Sequence, residues 1–205
     1  MNTAISAVVL AAGESRRMGR PKQLLPFGDR AIIERVVDTL LAAGVGEVIV
    51  VLGHLAEHVR TVLGHRPVQT VVNAAYRDGM LSSVKCGVQA VRPDQDAVMV
   101  ALGDQPHIDS AIARELIEQY RAGEAGIVIP RYAGKKGHPI IMNVHRYRQA
   151  ILSLPEQVGL NTLIQEHGDD VHLVDVATDD IIRDIDDPAD YARELARFSA
   201  RRPSL

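Results

Sequence analysis

The stretch Ile5-Ser6-Ala7-Val8-Val9-Leu10-Ala11-Ala12-Gly13-Glu14-Ser15-Arg16-Arg17-Met18-Gly19-Arg20-Pro21-Lys22 decides the reading of this chain. Its apolar opening, Ile5 to Leu10, predicts a buried first strand. Gly13 and Gly19 frame the loop that follows, so the backbone there can turn sharply and come close to a ligand. Four cations, Arg16, Arg17, Arg20 and Lys22, crowd into the same few residues. A close-approaching backbone beside concentrated positive charge suits a phosphate-rich ligand. No Gly-Lys-Ser/Thr closes the loop and no Gly-x-Gly-x-x-Gly opens it. It is therefore neither a P-loop nor the dinucleotide-binding fingerprint.

Composition narrows the classes of partner. With 205 residues, 46% of them hydrophobic, the chain can bury one sizeable core, and a single domain over residues 1–205 is expected. A net charge of −3 gives no global basic field to attract nucleic acid or an anionic membrane. Aromatics at 3%, with no Trp, leave no stacking platform for single strands. The single cysteine, Cys86, excludes an internal disulfide and is expected to be a small buried side chain. The opening Met1-Asn2-Thr3-Ala4 lacks a basic leader, and no apolar run nears membrane-spanning length. A cytoplasmic protein is the expectation.

Apolar β-branched runs alternate with runs of helical period. Strands are predicted at Ile5–Leu10, Glu47–Leu52, Gln69–Val72, Ala97–Leu102, Gly126–Ile129, Pro139–Met142 and Val171–Val176. Helices are predicted at Ala31–Ala43, Leu55–Leu63, Ser82–Val91, Ser110–Arg121, Leu160–His167 and Pro188–Arg201, with fraying expected over Arg201–Leu205. The alternation argues for an α/β fold, a mostly parallel twisted sheet with helices on both faces. Ligands of such sheets bind at the carboxyl ends of the strands. The loops of interest are therefore Ala11–Lys22, Gly53–His54, Asn73–Leu81, Gly103–His107 and Pro130–His138.

Gly103-Asp104-Gln105-Pro106 follows the most apolar of these runs. A carboxylate at a strand's carboxyl end is well placed to hold Mg²⁺, which prefers carboxylate, water and phosphate oxygens. Pro106 restrains Gln105 to an extended conformation; the plain alternative is a turn aspartate before the helix at Ser110. Farther on, Arg183-Asp184-Ile185-Asp186-Asp187-Pro188 alternates acid and isoleucine before a helix that Pro188 opens. Asp184 and Asp186 can project from an extended segment, whereas Asp187 and Asp190 are explained by the helix dipole.

Leu10–Lys22 resembles the nucleotidyltransferase signature Leu-Ala-Ala-Gly-x-Ser-x-Arg-Met-Gly-x-x-Lys of the nucleotide-diphospho-sugar transferase superfamily, whose fold is Rossmann-like. Within it the chain is most similar to the molybdenum cofactor cytidylyltransferases. That resemblance runs from Ala7 to Tyr191. It implies a donor-nucleotide half over about residues 1–107 and an acceptor half over about 108–200. It also implies transfer of a nucleoside monophosphate from CTP, with release of pyrophosphate, to a molybdenum-bound pterin phosphate, and Mg²⁺ as cofactor. A molybdenum hydroxylase or its chaperone is the protein partner it suggests.

By the same resemblance Arg17, Lys22 and Asp104 are the catalytic candidates. Leu10, Ala11, Ala12 and Gly13 would approach the nucleotide. Asn73 and the segment Gly79-Met80-Leu81-Ser82-Ser83 would lie near base and ribose, with Ser83 ahead of Ser82. Helix capping is the plain alternative for both serines. His138, in Gly134-Lys135-Lys136-Gly137-His138-Pro139, would face the acceptor. Asp104 would hold the metal, with Asp186 first and Asp184 second as further ligands. One departure stands out. Many members carry Gly-Asp-x-Gly-x-Arg in the acceptor half, where this chain reads Glu156-Gln157-Val158-Gly159-Leu160-Asn161.

Rival readings remain. His54-Leu55-Ala56-Glu57-His58 fits His-x-x-Glu-His, an inverted zinc-hydrolase pattern. A relative acting on a sugar phosphate or other small phosphate would share the donor chemistry. A non-catalytic module that hands a cofactor to a molybdenum enzyme would share the binding residues.

Overall fold

The structure is a computed structural model that describes residues 3–201. Strand β1 (Ile5–Ala11) leads through the signature loop to a short hairpin, β2 (Pro26–Phe27) and β3 (Arg30–Ala31), and helix α1 (Ile32–Ala43). There follow β4 (Glu47–Leu52), α2 (Ala56–Leu63), β5 (Gln69–Val72), α3 (Met80–Ala90), β6 (Ala97–Leu102) and α4 (Ser110–Ala122). The second half runs β7 (Ile127–Tyr132), β8 (Lys135–Lys136), β9 (Ile140–Asn143), α5 (Val144–Ser153), α6 (Leu160–Glu166), β10 (Val171–Asp175) and α7 (Pro188–Arg201).

The main sheet has the order β10-β7-β9-β6-β1-β4-β5, with β8 folded back on β7. β1 is an interior strand, parallel to both β4 and β6. Side chains alternate faces along a strand. Ile5, Ala7, Val9 and Ala11 accordingly join one apolar cluster with α1 and α4, and Val8 joins the other with α3 and α5. Two buried faces explain why β1 is apolar almost throughout. The expected α/β architecture, mostly parallel with helices on both faces, is what forms. β9 breaks the parallel run, pairing antiparallel with both β6 and β7.

Local chemistry sets the helix ends. Asp109 accepts from the Ala111 amide at 2.7 Å to open α4, and Glu34 accepts from the Ala31 amide at 2.6 Å to open α1. Helix α5 was not among the expected elements. Its buried side chains, Val144, Tyr147 and Ile151, keep a helical spacing, and Asn143 caps it by accepting from Arg146. Of the tail expected to fray, Arg201 closes α7 and pairs with Asp180, while 202–205 lie outside the described residues. Cys86 is only half-buried, and burial pushes its thiol pKa up. Among the described residues no helix is long and apolar enough to cross a membrane.

A third, smaller cluster joins the signature loop to the chain's end. Met18, Leu25, Phe27, Ile32 and Ile185 are buried together, with Tyr191, Leu195 and Phe198 of α7 packed against them. On the other side of the sheet α3 approaches β1 and β4 through Gly87. A Cβ there would stand 2.2 Å from Val8 Cγ1 and 2.9 Å from Val51 Cγ2. Gly87→Ala should therefore cost about 1–3 kcal/mol of stability, the range typical of overpacking, measured by urea denaturation with an unchanged slope.

Candidate active site

Strand register brings the separate loops to one edge. Leu10 of β1 pairs with both Val51 and Leu102, and Leu52 pairs with Val72. The loops after β1, β4, β5 and β6 thus leave the sheet side by side. Gly103 donates its amide to the Leu10 carbonyl at 3.0 Å, and a Cβ on it would stand 2.7 Å from that oxygen. Only glycine lets the Asp104 loop come this close to the signature loop.

The signature loop is tied by its own side chains. Ser15 sits in the left-handed region, at φ 54°, and its Oγ accepts the Lys22 amide at 3.1 Å. Gln23, buried, donates to the Gly13 carbonyl at 3.4 Å, and Met18 pins the loop's far side into the third apolar cluster. What remains open is a cleft of about 390 Å³. Its walls include Leu10, Ala12, Gly13, Arg17, Lys22, Ser83, Asp104, Asp184 and Asp186, nine of the residues singled out from the sequence.

Lys22 is the centre of the cleft's charge. Its ammonium lies 2.5 Å from Asp104 Oδ2 and 3.1 Å from Asp186 Oδ1. Burial alone would lower its pKa, but the two carboxylates outweigh burial and hold it above the ordinary lysine value. Arg17, largely exposed at the rim, reaches Asp186 Oδ2 at 2.8 Å. Asp184 is open to the cleft, yet its surroundings desolvate it. Together with the charge of Asp104 they push its carboxyl above the usual range. Gln105 holds it by donating to Asp184 Oδ1 at 2.8 Å. The other oxygen of Asp104, Oδ1, is buried without a hydrogen-bond partner.

The remaining candidates lie behind or beside the cleft. Ala11 is buried in the core. Asn73 is buried and donates to Ser82 Oγ at 2.8 Å and Ser83 Oγ at 3.1 Å. Ser82 in turn lies within hydrogen-bond distance of the Gly79 and Ala75 carbonyls, so it knits the turn before α3 and only Ser83 reaches the cleft wall. Neither serine caps the helix, because α3 begins at Met80 with Gly79 as its cap residue. His138 lines a neighbouring cleft of about 270 Å³ with Lys136, Asn161 and Gln165. Burial pushes its imidazole pKa down, and the charge of Asp104 pulls it partly back. Gln23, Tyr76, Gly79 and Met80 also line the main cleft. Gly79 and Met80 belong to the segment the sequence pointed to, and Met80 is a large apolar side chain left 62% exposed there, whereas nothing in the sequence singled out Gln23 and Tyr76. Arg16 points away and pairs with Glu14 at 2.5 Å.

The histidine pattern does not assemble. Leu55 takes the left-handed conformation and α2 starts at Ala56, so His54 stands off the helix that carries His58. Among the described residues no group of three or more His, Cys, Asp or Glu side chains is arranged to hold a metal by itself.

Comparison with known proteins matches residues 7–171 to the model of the MobA-like NTP transferase domain. A molybdenum cofactor cytidylyltransferase of Escherichia coli is 28% identical over 200 residues, covering 96% of this chain and 98% of that protein. A nicotine blue oxidoreductase of Paenarthrobacter nicotinovorans is 29% identical over 189 residues, covering 89% and 92%. Among solved structures, Rv0371c of Mycobacterium tuberculosis superposes with a TM-score of 0.84 at 30% identity, covering 96% of this chain and 99% of that one. A complex of the same protein with manganese superposes with a TM-score of 0.77. On these grounds the chain belongs to the MobA-like NTP transferase domain family and is a nucleotidyltransferase.

Proposed function

We propose that the cleft transfers a cytidylyl group from CTP, with Mg²⁺, to the phosphate of a small acceptor, a molybdenum-bound pterin. The observation that carries the reading is Lys22 held between Asp104 and Asp186, with Arg17 on the same carboxylate. In this reaction an acceptor phosphate oxygen attacks the α-phosphorus, and the bond to the bridging oxygen breaks. The electron pair leaves with pyrophosphate. Charge grows on the leaving group and on the equatorial oxygens, so fixed cations and in-line positioning do the catalytic work.

The residues fit a divalent metal. Mg²⁺ is commonly bound through one or two carboxylates and completed by substrate phosphates, rather than by an all-protein cage. Asp104, with its partnerless buried Oδ1, and Asp186 supply such a set, and Asp184 stands beside them. When bound, the metal would neutralise triphosphate charge. Lys22 and Arg17 would then turn from the carboxylates to the phosphates. Ser83, on the cleft wall, would offer a hydroxyl to a pyrimidine edge.

The acceptor is supported less directly. The cytidylyltransferase of E. coli aligns along almost the whole chain. His138, Lys136 and Asn161 face a cleft next to the donor site. Where the family's Gly-Asp-x-Gly-x-Arg is missing, Glu156 is drawn to Lys85 at 2.5 Å and α6 starts at Leu160. That departure favours testing a sugar 1-phosphate as the second acceptor class. The relative described as an oxidoreductase adds a redox reading, against which the match of residues 7–171 to the NTP transferase domain weighs.

Pyrophosphate release, measured with Mg²⁺ and each of CTP, GTP, UTP and ATP, should be fastest with CTP and molybdenum-loaded pterin phosphate. Release with another pair would keep the donor chemistry and remove the pterin. Asp104→Asn should lower turnover by about two to three orders of magnitude without unfolding the protein. Lys22→Met should lose turnover yet bind Mn²⁺ alone about tenfold more tightly, because a competing cation has gone. Equal Mn²⁺ affinity in parent and variant, read by electron paramagnetic resonance, would contradict the competition.

A further inference from the structure

Helix α7 docks through an unusual residue. Its one fully buried side chain is Glu194, a carboxylate that is 0% exposed. An apolar residue would seat the helix without the cost of taking a charge out of water, and buried ion pairs are commonly no more stable than apolar replacements. The stability of the helix therefore does not explain Glu194, and its neighbours suggest what does.

Glu194 Oε2 lies 3.4 Å from Arg183 Nε and 3.8 Å from His107 Nδ1. Arg183, itself 11% exposed, also pairs with Asp180 and reaches Asp179 at 3.2 Å. Arg201 closes the network on Asp180 at 3.0 Å. Burial, and next the charge of Arg183, push the His107 imidazole below its ordinary value. The neutral ring sits 3.1 Å from the Asp180 carbonyl through Nε2, the nitrogen that must donate there.

The network grips both carboxylate-bearing segments from behind. Arg183 has extended backbone, φ −102° and ψ 125°, so successive side chains point to opposite sides. Arg183 enters the buried network and Asp184 the cleft, while Ile185 is buried in the third cluster and Asp186 again lines the cleft. His107 comes three residues after Asp104, and Gln105 between them holds Asp184. Arg183 thus anchors, one residue before Asp184 and three before Asp186, the extended segment from which both carboxylates project.

We propose that Glu194 is a positioning residue, which with Arg183 fixes the segment carrying Asp184 and Asp186 at the distance from Asp104 that metal-assisted transfer requires. This rests on the nucleotidyl-transfer reading of the cleft. Two variants test it. Arg183→Met/Glu194→Met removes the central pair and leaves Asp180 to Arg201, with Arg193 and Arg197 at the rim of the network, and Glu194→Gln keeps the shape without the charge. Each is compared with the parent for melting temperature, for Mn²⁺ affinity in the presence of CTP, and for kcat and KM.

The expected result for the double variant is cooperative unfolding at or above the parent temperature. Mn²⁺ affinity should be at least tenfold weaker, and kcat lowered with KM for the nucleotide little changed. Glu194→Gln should show the same split to a smaller degree, and it carries the test if the double variant fails to fold. Parent-like Mn²⁺ affinity and kcat in a folded variant would overturn the proposal. So would losses that only follow a fall in melting temperature. A parent that binds Mn²⁺ with CTP but releases no pyrophosphate would count against the transfer reading alone, since the affinity readout still judges the positioning role.

Discussion

A single ammonium group ties this cleft together. Lys22 Nζ contacts Asp104, 82 positions along the chain, and Asp186, 164 positions along it. Three loops that share no local sequence meet on it. The contact is possible only because β1 and β6 run parallel in register, so the loops that follow them leave the same edge. It also requires Gly103, whose missing side chain lets the two loops touch. Without a counter-charge, carboxylates gathered in a partly desolvated cleft would repel one another; Asp184, raised first by desolvation and next by the charge of Asp104, sits in such surroundings. The lysine relieves that repulsion in the free protein and is the group that would face a triphosphate.

The molecule divides its interior by chemistry. Away from the carboxyl edge, both faces of the sheet bury almost nothing but aliphatic side chains. Ser6 and Gln95 at the opposite end aside, the buried polar residues gather at that edge: Gln23, Asn73, Ser82, Ser83, Gln105, Asp180 and Glu194. Each fixes a loop or helix that borders the cleft, Gln23 through the Gly13 carbonyl, Asn73 through the two serines, Gln105 through Asp184. Apolar packing, being non-directional, would leave these segments close but free to shift. Hydrogen bonds and ion pairs fix their orientation as well. The apolar pin of Met18 and the charged grip on Arg183 hold the cleft's two sides from opposite chemistries.

The side of the cleft next to β9 is built differently. β9 runs antiparallel between β6 and β7, which brings the turn with Gly137 and His138 to the same edge as Asp104. The cleft lined by His138 therefore lies near the one lined by Asp104, and His138 feels the charge of Asp104. The loop at Glu156 is drawn toward α3 by Lys85, and in the proposed reaction Lys136, His138, Asn161 and Gln165 would be the groups that meet the acceptor.

Much of this was legible in the sequence, because the periodicities are strong and the signature is long. Ile5–Leu10 and Ala97–Leu102 read as central strands since both of their faces are buried. Alternation of strand and helix gave the parallel sheet, and chain topology then placed the polar loops at one edge. Helix α5 escaped because its three buried apolar positions are interspersed with His145, Arg146, Arg148 and Gln149. Sequence could bring Arg17, Lys22, Asp104 and Asp186 into one set of candidates, but not decide which way each points. Tertiary structure decided that Lys22 turns inward while Arg16 turns to Glu14, and that Ser83 reaches the wall while Ser82 and Asn73 stand behind it. It also placed Glu194, which reads as one more acid on a polar helix, at the centre of a buried charge network. The physical reason is range. Backbone pattern is set by neighbours a few residues apart, whereas a side chain's direction and the burial of a charge are set by partners scores of residues away.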